Sequence, residues 1–401
     1  MISVLIEVIC FLFYLTDMKI IYIDSFCWGV MHQQINACLL KMLMILYPKK
    51  VEYYSGKTSK INVEKLIPNL DEVNFHPLWV KGGYGKISII LRFALSYWNN
   101  IRLLLISRKD DIIIYNYNNP LSLFEINFLN RFLKRRVLIF CHGELEMLAA
   151  PSGYSFFMRI LRRKLVRFFS ANRKIQNNLW FCVLGDIIKK NLKGIMPEKH
   201  LLHFLSIDHP YIFTKRDGES SNVPNILNVG TVGEFSRRKG GDDFMELVKR
   251  MQNESNIHFS ITGLIGYEIN TLKKLKVGLP SNNGMEPIED KEYNSRVSEL
   301  DYILYFYPKT SYRLIASGAI LDAVNHEKPI IAYGNSYFEY FFKKYGDVGY
   351  LVSNLEEMQS VLTNIILRKQ VSNFNFSKIK QELTPNVMAG TLADVLKKVN
   401  G

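Results

Sequence analysis

The sequence predicts an α/β fold of two Rossmann-like β/α/β domains facing each other across a cleft. Three observations predict it. At 401 residues, 48% of them hydrophobic and 13% aromatic, the chain is too apolar for disorder and longer than one core usually supports. Short apolar runs alternate with segments of helical spacing, the pattern of a mostly parallel sheet covered on both faces. A polar stretch, SIDHPYIFTKRDGESSNVP (206–224), breaks the alternation, which restarts after it.

The elements follow in order. KIIYID (19–24) reads as a buried strand and residues 30–46 as a helix. DIIIYNYN (111–118) and RVLIFCHG (136–143) are strands rich in Val, Ile and aromatics, with the helical LSLFEINFLNRFLKR (121–135) between them. A basic helix over about 154–170 precedes the strand NLWFCVLG (178–185). The break at 206–224, with Asp217-Gly218, Ser220, Ser221 and Pro224, reads as a linker. NILNVGTVG (225–233) is strand then turn, DDFMELVKRMQNE (242–254) a helix and IHFSITG (257–263) a strand. VSELDYILYFYP (297–308) ends in a strand, ASGAILDAVNHE (316–327) is a helix and KPIIAYG (328–334) a strand. A helix near 378–399, interrupted by Pro385, closes the chain. The expected boundaries are an N-terminal domain at 1–205, a linker at 206–224, a C-terminal domain at 225–375 and a helix at 376–401 returning toward the first domain.

Charge is uneven. The net +14 lies entirely in residues 1–205, which hold 28 Lys+Arg against 14 Asp+Glu, while the remainder holds 23 of each. An acidic partner is therefore expected on the first half. Five cysteines without a C-x-x-C pair give neither a disulfide framework nor a zinc site, so a reducing compartment is expected. MISVLIEVICFLFYLTD (1–17) is either a weak anchor or an upstream start, because Met18 itself opens a credible strand. No other stretch reads as long and apolar enough to span a bilayer.

The richest segment for chemistry is NVGTVGEFSRRKGGDDFMEL (228–247). Gly230 and Gly233 enter a turn, then Arg237, Arg238 and Lys239 precede the helix-opening Gly240-Gly241. Glycines admit a ligand close to the backbone and the cations can neutralise a diphosphate; a solvated loop is the plainer alternative. The order is neither G-x-x-x-x-G-K-[ST] nor G-x-G-x-x-G. Farther on, Ser317 and Gly318 fall at a helix N-terminus suited to phosphate, and Asp322 sits where a carboxylate can accept from a ribose diol or be a plain surface charge. In the first half, His142-Gly143 closes a strand and points toward the expected cleft as an acid–base or acceptor-binding group, with Glu144 to position an acceptor; a histidine satisfied by backbone is the alternative. KGGYGK (81–86) is either a mobile loop or a plain turn.

On NVGTVGEFSRRKGGDDF, FSITG and ASGAILDAVNHEKPIIA, residues 225–350 resemble the donor-binding domain of GT-B fold glycosyltransferases, particularly the family 4-like (group 1) enzymes of bacterial polysaccharide biosynthesis. The resemblance implies that Arg238 and Lys239 meet the donor diphosphate, that Asp322 binds the nucleotide ribose and that the enzyme is retaining. It also implies a nucleotide-diphosphate sugar as donor and a saccharide, lipid-linked, as acceptor, in capsule, O-antigen or exopolysaccharide assembly. One position departs from the family pattern: Leu314 stands eight residues before Asp322, where a glutamate is usual. Ser317-Gly318 offers donors in its place.

YSFFMRILRRKLVRFFSANRK (154–174) carries seven Lys/Arg and no acid. Phe157, Leu161, Leu165 and Phe168 share one arc, with Arg159, Arg162, Arg163 and Arg167 mostly opposite. An interfacial helix on an anionic membrane is expected, placing the protein in the cytoplasm, peripheral on the inner face of the cell membrane. The alternative is a helix packed on its own domain with a solvated basic face. No zinc spacing, RRM motif or heptad-linked basic region points to nucleic acid. No D-x-D motif stands near a strand end, so metal-independent turnover without a cofactor is expected. Two other readings stay open: a sugar-nucleotide epimerase of the same fold, and a non-enzymatic protein whose basic half binds nucleic acid or membrane.

Overall fold

A computed structural model describes residues 18–149, 155–214, 226–368 and 374–401. The expected anchor or upstream start at 1–17 and the Asp217-Gly218, Ser220, Ser221 and Pro224 of the expected linker lie outside the described residues. The chain divides into two units. One comprises residues up to Ile212 with Leu314–Ala316 and Leu383–Gly401; the other comprises Phe213–Arg313 with Ser317–Glu382.

The first unit is built on seven parallel strands: β1 (Ile20–Asp24), β2 (Val51–Gly56), β3 (Asn74–Leu78), β4 (Ile112–Tyr115), β5 (Arg136–Cys141), β6 (Leu179–Leu184) and β7 (Phe204–Ile207). Their order is β3-β2-β1-β4-β5-β6-β7. Every residue of β1 and β4 is buried, as apolar runs between two helical layers must be, and only Asp24 at the end of β1 is charged. The register pairs Ile20 with both Val51 and Ile112. Strand order reverses between β1 and β4, the point where this topology leaves a crevice beyond the carboxyl ends. Asp24 ends β1 there, fully buried, accepting from Cys27 N–H (3.1 Å), Asn36 Nδ2 (2.8 Å) and Ser59 Oγ (2.7 Å). The described cysteines, Cys27, Cys38, Cys141 and Cys182, are free and buried.

Three expectations change in this unit. β7 takes Ser206 and Ile207 out of the expected linker. The KGGYGK loop is pinned, because the buried Arg92 donates to the carbonyls of Lys81 (2.9 Å) and Gly83. The helix Lys86–Ile106 that follows was expected nowhere, and its 21 residues are long and apolar enough, by length and composition, to cross a membrane. At the chain's end, the helices Ser377–Glu382 and Pro385–Asn400 are separate, with Pro385 in the first turn of the second, where its missing N–H costs nothing. The last helix packs on helix Gln33–Leu46 and on β7.

The second unit has five parallel strands: β8 (Leu227–Val232), β9 (Ile257–Thr262), β10 (Tyr302–Tyr305), β11 (Ile330–Tyr333) and β12 (Gly349–Val352). The order β12-β11-β10-β8-β9 reverses between β8 and β10. Its core gathers Val229, Phe244, Leu247, Ile261, Leu304 and Ile331. The loops after β8 and β10 therefore flank this unit's own crevice, and they carry the segments singled out by sequence.

Candidate active site

After β8 the chain passes Gly233 and makes one turn of 3₁₀-helix at Arg237–Lys239, then enters the helix Gly241–Arg250. Gly240 makes the passage possible. Its φ is +78°, and a Cβ would stand 2.1 Å from the Phe306 carbonyl oxygen, so only glycine lets this loop lie against the end of β10. Gly230, by contrast, sits within β8, where a Cβ would meet Ser260 of β9 at 2.6 Å; it is a packing glycine, not one that admits a ligand.

The three cations are not equivalent. Lys239 is 17% exposed, with Nζ 5.8 Å from the centroid of Tyr307, which itself stacks on Tyr312 at 4.4 Å. Desolvation lowers the Lys239 pKa from its ordinary value, Glu234 opposes the shift and Arg238 adds to it. Arg238 is 71% exposed and reaches Glu234 at 3.4 Å, while Arg237 lies 3.7 Å from Asp242. With Lys239 Nζ 3.8 Å from the same Glu234, the loop is close to neutral, and the expected cluster of three unopposed cations reduces to one sheltered ammonium.

Across the crevice, Ser317 is the N-cap of helix Gly318–Asn325 but makes no side-chain cap bond. It is 2% exposed, and its Oγ has no hydrogen-bond partner among the described residues. An N-cap serine ordinarily spends its oxygen on the first-turn N–H groups, and a buried hydroxyl left unpaired costs about 1–3 kcal/mol. Here hydroxyl and helix terminus both remain available. Asp322, one turn on, is half-buried and accepts from Tyr293 Oη (3.2 Å), so it is no simple surface charge. Burial, then Asp322, raises the Tyr293 pKa well above its usual range, so it stays the donor. Sequence reasoning missed Tyr293, Tyr307 and Glu234. Only Glu234, four residues before Arg238, left a signal, as a possible ion pair.

In the first unit, His142 is buried and its Nε2–H donates to the Asn116 carbonyl (2.5 Å). Burial, then the neighbouring His32, pushes its pKa well below the usual value; His209 adds a little and the Asn116 bond opposes. The ring is therefore neutral, with its one proton committed to Asn116 and Nδ1 left as an acceptor. Glu144 is buried and accepts from the His142 and Gly143 N–H groups (3.1 Å each) and from Asn118 Nδ2 (2.9 Å), shaping the loop. Burial raises its pKa.

His32 and His142 lie with ring centroids 4.7 Å apart, and the buried His209 is pushed down to about 4, by burial first. A histidine with a depressed folded pKa favours the unfolded chain when protonated. Its contribution is thus present above the unfolded pKa near 6.5 and is lost as pH falls through that value toward about 4. Denaturant titrations are expected to show stability falling between pH 7.5 and 5 by about 2 kcal/mol for His209 alone, and His209→Asn is expected to flatten that slope.

The basic helix, Phe156–Phe168, is capped by Ser155 Oγ accepting from Met158 N–H. Leu161, Leu165 and Phe168 are buried, and Phe157 packs edge-on to Phe93 at 5.4 Å. Arg162 Nε donates to the Met147 carbonyl at 2.9 Å. Phe157 and Arg162 therefore serve the unit's own packing. Arg159, Arg163 and Arg167 are exposed and make no ion pair among the described residues.

No family model and no curated protein sequence matches the chain. Solved structures do. HepE of Anabaena, in complex with UDP, is 12% identical over 95% of this chain and 100% of its own, with a TM-score of 0.58. The lipopolysaccharide outer core galactosyltransferase WaaB, in its apo form, is 13% identical over 94% and 99%, with a TM-score of 0.57. The N-terminal domain of Candida albicans trehalose-6-phosphate phosphatase is 11% identical over 95% and 96%, also at 0.57. The likeness is one of architecture: the chain has the fold of GT-B glycosyltransferases, two Rossmann-like α/β domains.

Proposed function

We propose that this chain is a glycosyltransferase that moves a sugar from a nucleotide-diphosphate donor, held in the second unit, to a saccharide acceptor. The observation that carries the reading is the buried, unpartnered Ser317 Oγ at the N-terminus of helix Gly318–Asn325. A donor diphosphate there meets a hydroxyl, free helix N–H groups and the positive end of the helix dipole. Lys239, beyond the Tyr307 ring, answers the charge that develops on the departing diphosphate. Asp322, steadied by Tyr293, is assigned to the ribose. The UDP bound in HepE supports this class of donor.

The finer reading is also ours. The first unit is assigned the acceptor, a lipid-linked saccharide of bacterial capsule, O-antigen or exopolysaccharide assembly, met at the inner face of the membrane. Transfer proceeds with retention and without a divalent metal, Lys239 and the helix terminus supplying the positive charge. Nucleic acid is no partner.

The test offers the purified chain a panel of nucleoside-diphosphate sugars and measures nucleotide release and product mass, with and without chelator. Turnover of one donor, unchanged by chelator, is expected. Failure to bind any donor, alongside salt-sensitive binding of DNA, overturns the enzyme reading. Activity abolished by chelator and restored by Mg²⁺ or Mn²⁺ overturns the metal-free mechanism.

A further inference from the structure

The helix Lys86–Ile106 of the first unit is inverted for a surface in water. Its polar side faces the protein interior. Ser25 Oγ lies 2.9 Å from Ser96 Oγ and donates to Asn100 Oδ1 at 2.7 Å, and Asn100 Nδ2 donates to Ser122 Oγ at 3.2 Å. Arg92 is buried and holds the loop before the helix. The apolar side faces out: Ile87 is 75% and Trp98 63% exposed, and Ile90, Leu91 and Leu105 are exposed with them. At 3.6 residues per turn these five share an arc of about 100°, running about 27 Å along the helix. A soluble surface helix turns the other way.

The neighbouring helices extend this face. Helix Leu123–Leu133 packs against the first and exposes Phe128 and Phe132, edge-on at 5.6 Å. Helix Phe156–Phe168 packs on the second and exposes Phe156 together with Arg159, Arg163 and Arg167. A groove of about 830 Å³ joins Tyr97 and Ile101 of the first helix, Phe128 and Arg131 of the second, and Arg173 and Lys174 beyond the third. Across the three helices stand nine Lys/Arg and one acid, Glu125.

We propose that this face docks on an anionic lipid bilayer, with helix Lys86–Ile106 lying in the interface and the arginines of its neighbours on headgroup phosphates. Charge selects the occupant: with Arg92 and Arg162 committed to the unit's own carbonyls, seven cations against one acid accompany the apolar stripe, which suits acyl chains beneath anionic headgroups. A nucleic acid leaves the stripe in water, and a second copy of this face brings like charges together. The inference rests on the membrane location proposed above and is independent of donor binding.

The full chain is sedimented with vesicles of pure phosphatidylcholine and of phosphatidylcholine with about one-third phosphatidylglycerol. Binding is expected to the anionic vesicles and to be at least tenfold weaker for Leu91→Ser/Trp98→Ser, two exposed positions whose change leaves the melting temperature in place. Arg159→Ser/Arg163→Ser/Arg167→Ser is expected to erase the preference for anionic lipid. No binding to anionic vesicles, or binding unchanged in the Leu91/Trp98 variant, overturns the proposal. So does a self-association or nucleic-acid binding that the same variant abolishes while vesicle binding persists. Nucleoside-diphosphate titration of that variant is expected to match the wild type, so loss of membrane binding and loss of donor binding are read separately.

Discussion

Lys239→Ala is expected to lower kcat/KM for nucleotide-sugar turnover by about 10²–10³-fold, the scale of removing one preorganised donor from a developing oxyanion. Burial separates the three cations. Arg237 and Arg238 lie in water, each already opposite an acid, and exposed pairs of that kind contribute little. Lys239 is sheltered over Tyr307, at the crevice between β8 and β10, where a charge is less screened. Arg238→Ala is accordingly expected to cost only a few-fold. The lowered pKa of Lys239 adds a direction: its charge is lost at a lower pH than that of an ordinary lysine, so donor binding is expected to weaken early on the alkaline side. Steady-state kinetics of the two variants across pH tests both statements. Equal losses in Arg238→Ala and Lys239→Ala contradict this account.

Gly240→Ala is expected to destabilise the second unit by about 2–5 kcal/mol, a left-handed backbone adding about 1–2 and the forced displacement about 1–3. The obstacle is backbone: the new Cβ would lie 2.1 Å from the Phe306 carbonyl, which no rotamer change relieves. Because Gly240 follows Lys239 directly, whatever displacement accommodates the methyl group also shifts the ammonium. Denaturant unfolding is expected to show the loss, and donor affinity is expected to fall even where the chain remains folded. A Gly240→Ala protein of wild-type stability contradicts the placement of this loop.

Much of the architecture is legible in the sequence because parallel strands buried on both faces leave unbroken apolar runs, as at residues 20–23, 137–141 and 330–333. What stays hidden breaks that rule for a local reason. β3 carries Pro77, which an edge strand tolerates and a central one does not, so NFHPL does not read as a strand. β7 is only four residues, and its last two, Ser206 and Ile207, open the polar stretch that reads as a linker. Helix Lys86–Ile106 escapes because its asparagines, serine and Arg92 face inward, against the usual pattern. At the site, the glycine and basic run after β8 and the Ser317-Gly318 helix start are readable because each is local. Their partners are not: Tyr293 is 29 residues from Asp322, and the Asn116 that takes the proton of His142 is 26 residues away. Composition likewise suggests three cations after β8, and only the spacing in three dimensions shows Glu234 answering two of them.

The central claim is that Ser317 and the helix it opens form a cradle for the donor diphosphate, and one paired measurement tests it most directly. Wild type and Ser317→Ala are titrated calorimetrically with nucleoside diphosphates, and their stabilities are compared. Because the Ser317 hydroxyl is buried without a partner, its removal is expected to leave stability unchanged or slightly higher, while affinity for the diphosphate falls about 5–30-fold. A variant that binds as tightly as wild type, or a wild type that binds no nucleoside diphosphate, contradicts the account.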